Sequence, residues 1–307
     1  MIRSLLLSTL ICASLLWAAP SHAALDVVAT VPDLAALARA VGGSHVEVSA
    51  LSRATQDPHW IDAKPNLALT LNRADLLLAV GAELEVGWLP KLQLGARNPA
   101  ILSGGDGYLE CAKHVAMLDV PTGPIDRSMG DIHGAGNPHY LLDPRRALGC
   151  AEAIAARLSA LDSTHASDYR ANLERFRERL TRAQAGWEKK LAPHRGAAVI
   201  TYHKSWVYLT DWLGLAEVAH LEPKPGIAPT PRHVLEVLQT AKQKRVAVIL
   251  QADYYPSKTG ALVASRSGAT LLELRTGAAF ERGQGYIEHM DELIDALARG
   301  LSAGAAR

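Results

Sequence analysis

Short apolar runs alternate with amphipathic segments along most of the chain. In the first half the apolar runs are LDVVAT (25–30), VEVSAL (46–51) and LLLAVG (76–81), separated by PDLAALARAVGG (32–43) and PNLALTLNRA (65–74) with helical spacing. In the second half the apolar runs are AAVITYH (197–203), VAVILQA (246–252) and TLLEL (270–274). Strands that alternate with helices predict mostly parallel sheets with helices on both faces.

A long charged segment separates the two halves. Residues 163–192 contain one glycine, Gly186, and no proline. Their apolar residues recur at helical spacing among many charged residues. This length exceeds that of an ordinary globular helix. We therefore predict an α/β protein of two lobes, residues 24–162 and 193–307, joined by one connecting helix over 163–192.

The first 23 residues have the layout of a secretory signal peptide. Arg3 precedes an apolar run from Leu5 to Ala19, and Ser21-His22-Ala23 offers small residues for cleavage. The apolar run is shorter than the ~20 residues of a membrane span. The sequence therefore predicts export of a soluble protein.

The net charge of the chain limits the classes of molecule that could bind it. Loss of Arg3 with the signal peptide leaves 31 basic against 31 acidic side chains. A net charge near zero argues against nucleic acid or an anionic membrane as a partner.

Two cysteines remain, Cys111 and Cys150, and in an oxidising compartment such a pair favours a disulfide over a metal site or a nucleophile.

Two histidines, eighty residues apart, lie in the same short sequence motif, here called the Pro-His frame. DPHW (57–60) and NPHY (137–140) each place a histidine between proline and an aromatic ring, just before a predicted helix. His203 ends an apolar strand, where ligands bind in open α/β sheets. Each histidine could equally form hydrogen bonds only within its own loop. Seven others are interpreted as ordinary surface residues: His45, His114, His165, His194, His220, His233 and His289.

Local spacing does not decide between these interpretations. No HExxH, CxxC pair or zinc-finger spacing occurs, although distant ligands are compatible with a site between lobes. His133 lies in a glycine-rich loop upstream of His139, and either a transient metal contact or simple solvation explains it. Trp60 and Tyr140 adjoin two of the histidines, where they either cover the site or pack in the core.

Several motifs in order together resemble one family. They are ATVPDLAALARAVGG, DPHWIDAKPNLALTLNRADLLLAVG, GNPHYLLDP, TYHKSWVYLTDWLGL and LEPKPGIAPTPRHV. The sequence is similar to the zinc and manganese solute-binding proteins of bacterial ABC transporters. The resemblance implies a monomeric periplasmic protein with one metal ion between its lobes, held by His59, His139 and His203. It also implies a membrane permease as partner, with a periplasmic metallochaperone as a further candidate.

The sequence departs from this family at the fourth ligand. Many relatives carry an aspartate soon after the last core strand, but here Arg275 falls at about that position. Glu273, Asp253 or a water molecule is the candidate substitute.

The candidate ligands favour zinc. Three imidazoles suit Zn²⁺, whereas Mn²⁺ prefers oxygen ligands, so manganese or another divalent ion is the alternative cargo. Three histidines and a water are also the ligands of a zinc hydrolase, but no motif here supplies a general base. A surface adhesin is less favoured still, because no lipid anchor or cell-wall signal is recognisable.

Overall fold

Two parallel four-stranded sheets organise the chain, and both have the same strand order. The computed structural model describes residues 24–124, 126 and 129–305, so the predicted signal peptide lies outside the described residues. The first sheet has the order β2-β1-β3-β4 and the second β6-β5-β7-β8. The strands are β1 Leu25–Ala29, β2 Val46–Ala50, β3 Leu76–Ala79, β4 Tyr108–Glu110, β5 Ala198–Thr201, β6 Ala216–His220, β7 Val248–Ala252 and β8 Thr270–Leu274. Each sheet with its helices forms one lobe, which confirms the predicted fold class.

Helices connect the strands and cover the sheets. They are α1 Pro32–Gly42, α2 Pro65–Asn72, α3 Leu89–Ala96, α4 Pro144–Leu161, α5 Ala166–Leu191, α6 Val207–Leu213, α7 Pro231–Gln243, α8 Ser257–Ser267 and α9 Tyr286–Ala305. Proline opens α1, α2, α4 and α7, where its fixed φ suits a helix and its missing N–H costs no hydrogen bond. Within the described part of the chain, none of the helices combines the length and apolarity of a membrane span.

The hydrophobic pattern predicts the four inner strands, β1, β3, β5 and β7, and also the edge strands β2 and β8. β3 and β7 are buried along their whole length, because helices cover both faces of a parallel sheet. The edge strands β4 and β6 were not predicted. β4 has only three residues and β6 is half-buried throughout, so neither forms a continuous apolar run.

Helix α5 joins the lobes over 26 residues, with a short 3₁₀ turn at each end. It packs against α1 and α4 of the first lobe and against α9 of the second. The Trp187 indole N–H donates to Asp291 of α9 at 2.7 Å. One apolar core contains residues of both sheets and of α5, such as Val27, Trp187 and Val248. The lobes therefore share a core.

The cysteine pair lies where β4 meets α4. Cys111 follows β4 and Cys150 lies within α4, and both are buried free thiols in the structure. A hydrogen bond to Cys150, together with burial, raises the pKa of the Cys111 thiol well above its ordinary value. The two sulfur atoms are thus neighbours, and the disulfide stays a prediction.

Candidate metal centre

The two Pro-His frames fold into the same local structure. In the loop between β2 and α2, Asp57 Oδ1 accepts from the backbone N–H of His59 at 3.0 Å and from its ring Nδ1 at 2.7 Å. In the loop before α4, Asn137 Oδ1 accepts from the same two atoms of His139, both at 3.0 Å. Each turn is thus closed by the Asx side chain, and in a neutral imidazole that donates through Nδ1 the other nitrogen, Nε2, is the acceptor.

The ring of His203 is also held through Nδ1, in this case by a residue that is distant in sequence. It follows β5, at the carboxyl end of the second sheet, and is 4% exposed. Its ring Nδ1 donates to the carboxylate of Glu222 at 2.7 Å. Hydrogen bonds from Nδ1 to acceptors behind the ring fix the orientation of metal-binding histidines and raise their basicity. His203 therefore also presents Nε2 to the space between the lobes.

The structure brings His59, His139 and His203 together. The ring centroids of His59 lie 5.1 Å from His139 and 5.3 Å from His203, and those of His139 and His203 are 5.5 Å apart. One ring nitrogen from each histidine lies within 4.8 Å of the other two. Nε2 of His59 and of His139 is buried without a hydrogen-bond partner. A buried polar atom without a partner is costly unless a ligand satisfies it.

The electrostatics of the cluster favour a bound cation. Burial, together with the charges of the neighbouring histidines, holds the pKa of His139 well below its ordinary value. Burial alone would raise the pKa of the Asp57 carboxyl, but its contacts with His59 outweigh that effect and lower it. A lowered pKa at Asp57 favours an anionic acceptor, and a lowered pKa at His139 favours a neutral imidazole, which is the form that binds a divalent metal.

His133 is buried beside these three rings, so its interpretation as a solvated loop residue is wrong. It is 9% exposed, and its ring centroid lies 5.5 Å from that of His59. Burial and the charge of His59 lower its pKa to about 4. Its Nε2 also has no hydrogen-bond partner. With His59 and Asp131 it forms a second group whose potential ligand atoms lie within 4.8 Å of one another.

Neither of the carboxylates predicted as a fourth ligand joins the cluster. Asp253 is exposed and lies 3.7 Å from the guanidinium of Arg275. Glu273 is exposed on β8, where its carboxylate accepts from the Gln251 side chain at 3.4 Å. Among the described residues, no group of close ligand atoms includes either carboxylate. The prediction of Glu273 or Asp253 is therefore corrected, because both side chains point to other partners.

The aromatic neighbours and one further histidine also have definite places. Trp60 is 73% exposed and leaves the site uncovered, whereas Tyr140 is buried and donates to the carbonyl of Val80 at 2.6 Å. His289 is 3% exposed, so its interpretation as a surface residue is wrong. Burial lowers its pKa to about 4, with a contribution from Arg275.

Sequence reasoning missed the acceptors behind the three rings: Asp57, Asn137 and Glu222. For two of them the signal was present, because an aspartate or asparagine precedes each Pro-His pair at the same spacing. Glu222 lies 19 residues from His203, and no local pattern connects them.

Comparisons with known proteins bear on the fold and the family. Residues 27–300 match the family model described as the periplasmic component A of the zinc-uptake complex. A high-affinity zinc uptake system protein of Yersinia pestis, ZnuA, is 24% identical over 94% of this chain and 93% of its own. The iron-binding protein YfeA of the same organism is 24% identical over 90% of this chain and 86% of its own.

A solved structure shows the same fold. It is the solute-binding protein FpvC of Pseudomonas aeruginosa in complex with Mn²⁺. It superposes with a TM-score of 0.75 at 22% identity, over 91% of this chain and 98% of its own. The two-lobed architecture is therefore shared at low sequence identity.

Proposed function

Because this chain belongs to the family of the periplasmic zinc-uptake component A, metal-binding proteins of ABC transporters, we propose that it binds Zn²⁺ between its lobes and delivers it to a membrane permease. Proteins of this family are transport binding proteins and not enzymes. The observation that carries the proposal is the convergence of His59, His139 and His203, whose ring nitrogens approach within 4.8 Å. A tetrahedral zinc site with Zn–N distances of about 2.0–2.1 Å has its nitrogens about 3.4 Å apart, so we expect the rings to move closer together when the ion binds.

The ligand types support zinc over manganese. The three donors of the cluster are imidazole nitrogens, while the carboxylates of Asp57 and Glu222 bind the rings from behind. Imidazole suits Zn²⁺, whereas Mn²⁺ prefers a larger number of oxygen ligands. Manganese or iron is the second candidate, since one relative is named an iron-binding protein and a protein of the same fold was solved in complex with Mn²⁺. Manganese would need oxygen ligands that this cluster does not supply, whereas iron also accepts imidazole ligands, so the metal-content experiment must separate iron from zinc.

The remaining coordination position is proposed to be open to water or to a donor carried with the ion. Arg275 is engaged with Asp253 and cannot coordinate a cation in any case. A site with three protein nitrogens and one exchangeable position binds metal firmly but keeps a route for release. Such a site suits a protein that must give up its cargo. Export through the signal peptide, a monomeric state and a metallochaperone partner stay predictions.

Metal content tests the proposal directly. The mature protein is stripped with chelator and dialysed against an equimolar mixture of zinc, manganese and iron(II), the last under anaerobic conditions. Bound ions are then counted by mass spectrometry. We expect one zinc per chain, and we expect His59→Ala, His139→Ala and His203→Ala each to weaken zinc binding severely, because each removes a ligand.

His114→Ala is the matched control, because His114 is exposed on the first lobe and belongs to neither group of potential ligands. It should bind zinc as the unaltered protein does. If the protein bound manganese or iron in preference to zinc, that ion would be the cargo and the zinc assignment would be wrong. Zinc binding that survives all three alanine substitutions would disprove the site.

A further inference from the structure

The proposed function leaves one coordination position of the ion to an exchangeable donor. Resting on that function, we propose that the protein binds Zn²⁺ together with a small organic carboxylate, which lies in the cavity beside His139 and His203. Three imidazole nitrogens and one carboxylate oxygen complete a tetrahedral zinc site. The ligand class is a hydroxy acid or an amino acid that chelates zinc, and citrate and L-histidine represent it in the experiments below.

The cavity is larger than a metal ion requires. It is open to solvent, has a volume of about 410 Å³ and reaches His139 and His203. One water molecule takes up about 30 Å³ in the liquid, so an ion with a single coordinated water would leave most of this space unused. Pockets that bind small organic molecules have volumes of roughly 300–1,000 Å³. The cavity therefore has the size of a site for a small organic ligand.

The walls of the cavity also have the chemistry of such a site. Their apolar part consists of Val120, Pro121, Pro124, Met129, Ile132 and Pro225. Small-molecule sites are mostly apolar, with a few polar groups that fix the orientation of the ligand. His133 is one polar group in this lining, and its Nε2 is buried without a hydrogen-bond partner. As an N–H donor to a carboxylate oxygen, this nitrogen would no longer be left unsatisfied.

The charges of the lining make binding of the carboxylate depend on the metal ion. The charged groups among the described residues of the cavity are Asp119, Asp131 and Lys204. With the histidines neutral, as metal binding requires, these groups carry one net negative charge, which repels a free anion. A divalent ion on the histidines changes this to one net positive charge. The carboxylate therefore binds well only when zinc is present.

Lys204 is placed to bind the part of the ligand that does not coordinate zinc. It directly follows His203, and its carbonyl accepts from Asn137 at 2.8 Å, which fixes the backbone at this point. Its side chain is 43% exposed, and its ammonium lies 3.5 Å from the carboxylate of Asp119. A partly exposed ion pair at this distance is weak. The ammonium can therefore pair with a carboxylate of the ligand, while another oxygen of the same ligand coordinates the ion.

Zinc binding at a fixed concentration of free Zn²⁺ tests the inference, because chelators also bind zinc in solution. We expect saturating citrate or L-histidine to tighten zinc binding by roughly 10-fold, which is within the usual range of coupling between two ligands. Because such coupling is reciprocal, the radiolabelled compound should bind to zinc-loaded protein at one molecule per chain and should not bind to metal-free protein. Acetate, which is too short to reach both the ion and Lys204, should have a much smaller effect.

Lys204→Met keeps the length of the side chain and removes its charge. We expect this variant to bind zinc alone as the unaltered protein does, but to lose most of the tightening by the carboxylate. Lys91→Met is the matched control, because Lys91 is exposed on α3 and does not line the cavity. It should keep the tightening in full.

Two results would overturn the inference. One is an equal zinc affinity with and without citrate and L-histidine, with no labelled compound retained. The other is a tightening that Lys204→Met keeps in full, because the carboxylate would then bind outside this cavity. In both cases zinc binding by the protein alone stays intact. Absence of zinc binding under every condition would instead disprove the proposed function.

Discussion

Asn137 and Asp57 occupy equivalent positions in the two frames, but their side chains have different tasks. Both accept from a histidine backbone N–H and ring Nδ1. Asn137 also donates through Nδ2 to the carbonyl of Lys204 at 2.8 Å, one residue beyond His203. An amide side chain can accept and donate together, whereas an ionised carboxylate such as that of Asp57 can only accept. Asn137 therefore links the positions of two candidate ligands that belong to different lobes.

Asn137→Asp keeps the acceptor for His139 but removes the donor to Lys204. It also places a carboxylate against a carbonyl oxygen. We therefore expect the position of His139 relative to His203 to become less fixed. Zinc affinity should fall by about 10–100-fold, the usual cost of losing a contact behind a metal ligand. Competition with a chelator of known affinity measures this change. Asp57→Asn, which also retains an acceptor, is the matched control and should have a smaller effect. An Asn137→Asp affinity at or above that of the unaltered protein would contradict the linking role.

At the scale of elements, the junction of β4 and α4 holds the cysteine pair. Cys111 begins the 3₁₀ turn after β4, and Cys150 faces it from the middle of α4. No other described cysteine competes for either thiol. A bond between them would fasten an edge strand to a helix that packs on α1 and α5. Edge strands gain most from such attachment, because only one neighbour holds them in the sheet.

Protein isolated from an oxidising compartment should show no reactive thiol in denaturant until a reductant is added. Reduction should then lower the free energy of unfolding by roughly 2–4 kcal/mol, because the bond restricts the unfolded chain. Thiol titration and urea unfolding measure the two effects. The variant Cys111→Ser/Cys150→Ser should be insensitive to reductant. Two titratable thiols in the unreduced, denatured protein would show that the pair stays reduced.

At the scale of the whole molecule, several hydrogen bonds join the two lobes. The Tyr286 hydroxyl donates to the carbonyl of Leu141 at 2.7 Å, and the Arg39 guanidinium donates to the carbonyls of Gly283 and Gln284. Asp33, at the start of α1, accepts from the backbone N–H of Ala278 at 2.8 Å. Together with the shared core, these contacts favour a binding protein that moves little between its loaded and empty states.

Asp33 makes stability depend on pH. Burial raises its pKa from 3.8 to about 7, although the Ala278 hydrogen bond opposes this. Between these two pKa values the folded state keeps a proton that the unfolded state releases. The free energy of unfolding therefore falls as pH rises from about 4 to about 7. Asp33→Asn should gain stability relative to the unaltered protein by roughly 1–3 kcal/mol more at pH 8 than at pH 5. Urea unfolding of metal-free protein at both pH values measures this. Parallel pH profiles for the two proteins would contradict the prediction.

The sequence by itself determined features that depend on neighbours along the chain. The alternation of strands and helices, the long helix over 166–191 and the closed Asx-Pro-His turns follow from local periodicity and turn chemistry. For the same reason the sequence marked His59, His139 and His203 as candidates, each at the end of a strand or before a helix.

Only the tertiary structure decided which distant side chains meet. The burial of His133 and His289, the pairing of Glu222 with His203 and the contact of Asp253 with Arg275 all depend on the packing of elements that are distant in sequence. The edge strands β4 and β6 exist because a neighbouring strand supplies their hydrogen bonds, and not because their own residues demand it. Distances between residues far apart in sequence are set by the packing of whole elements, which no local pattern encodes.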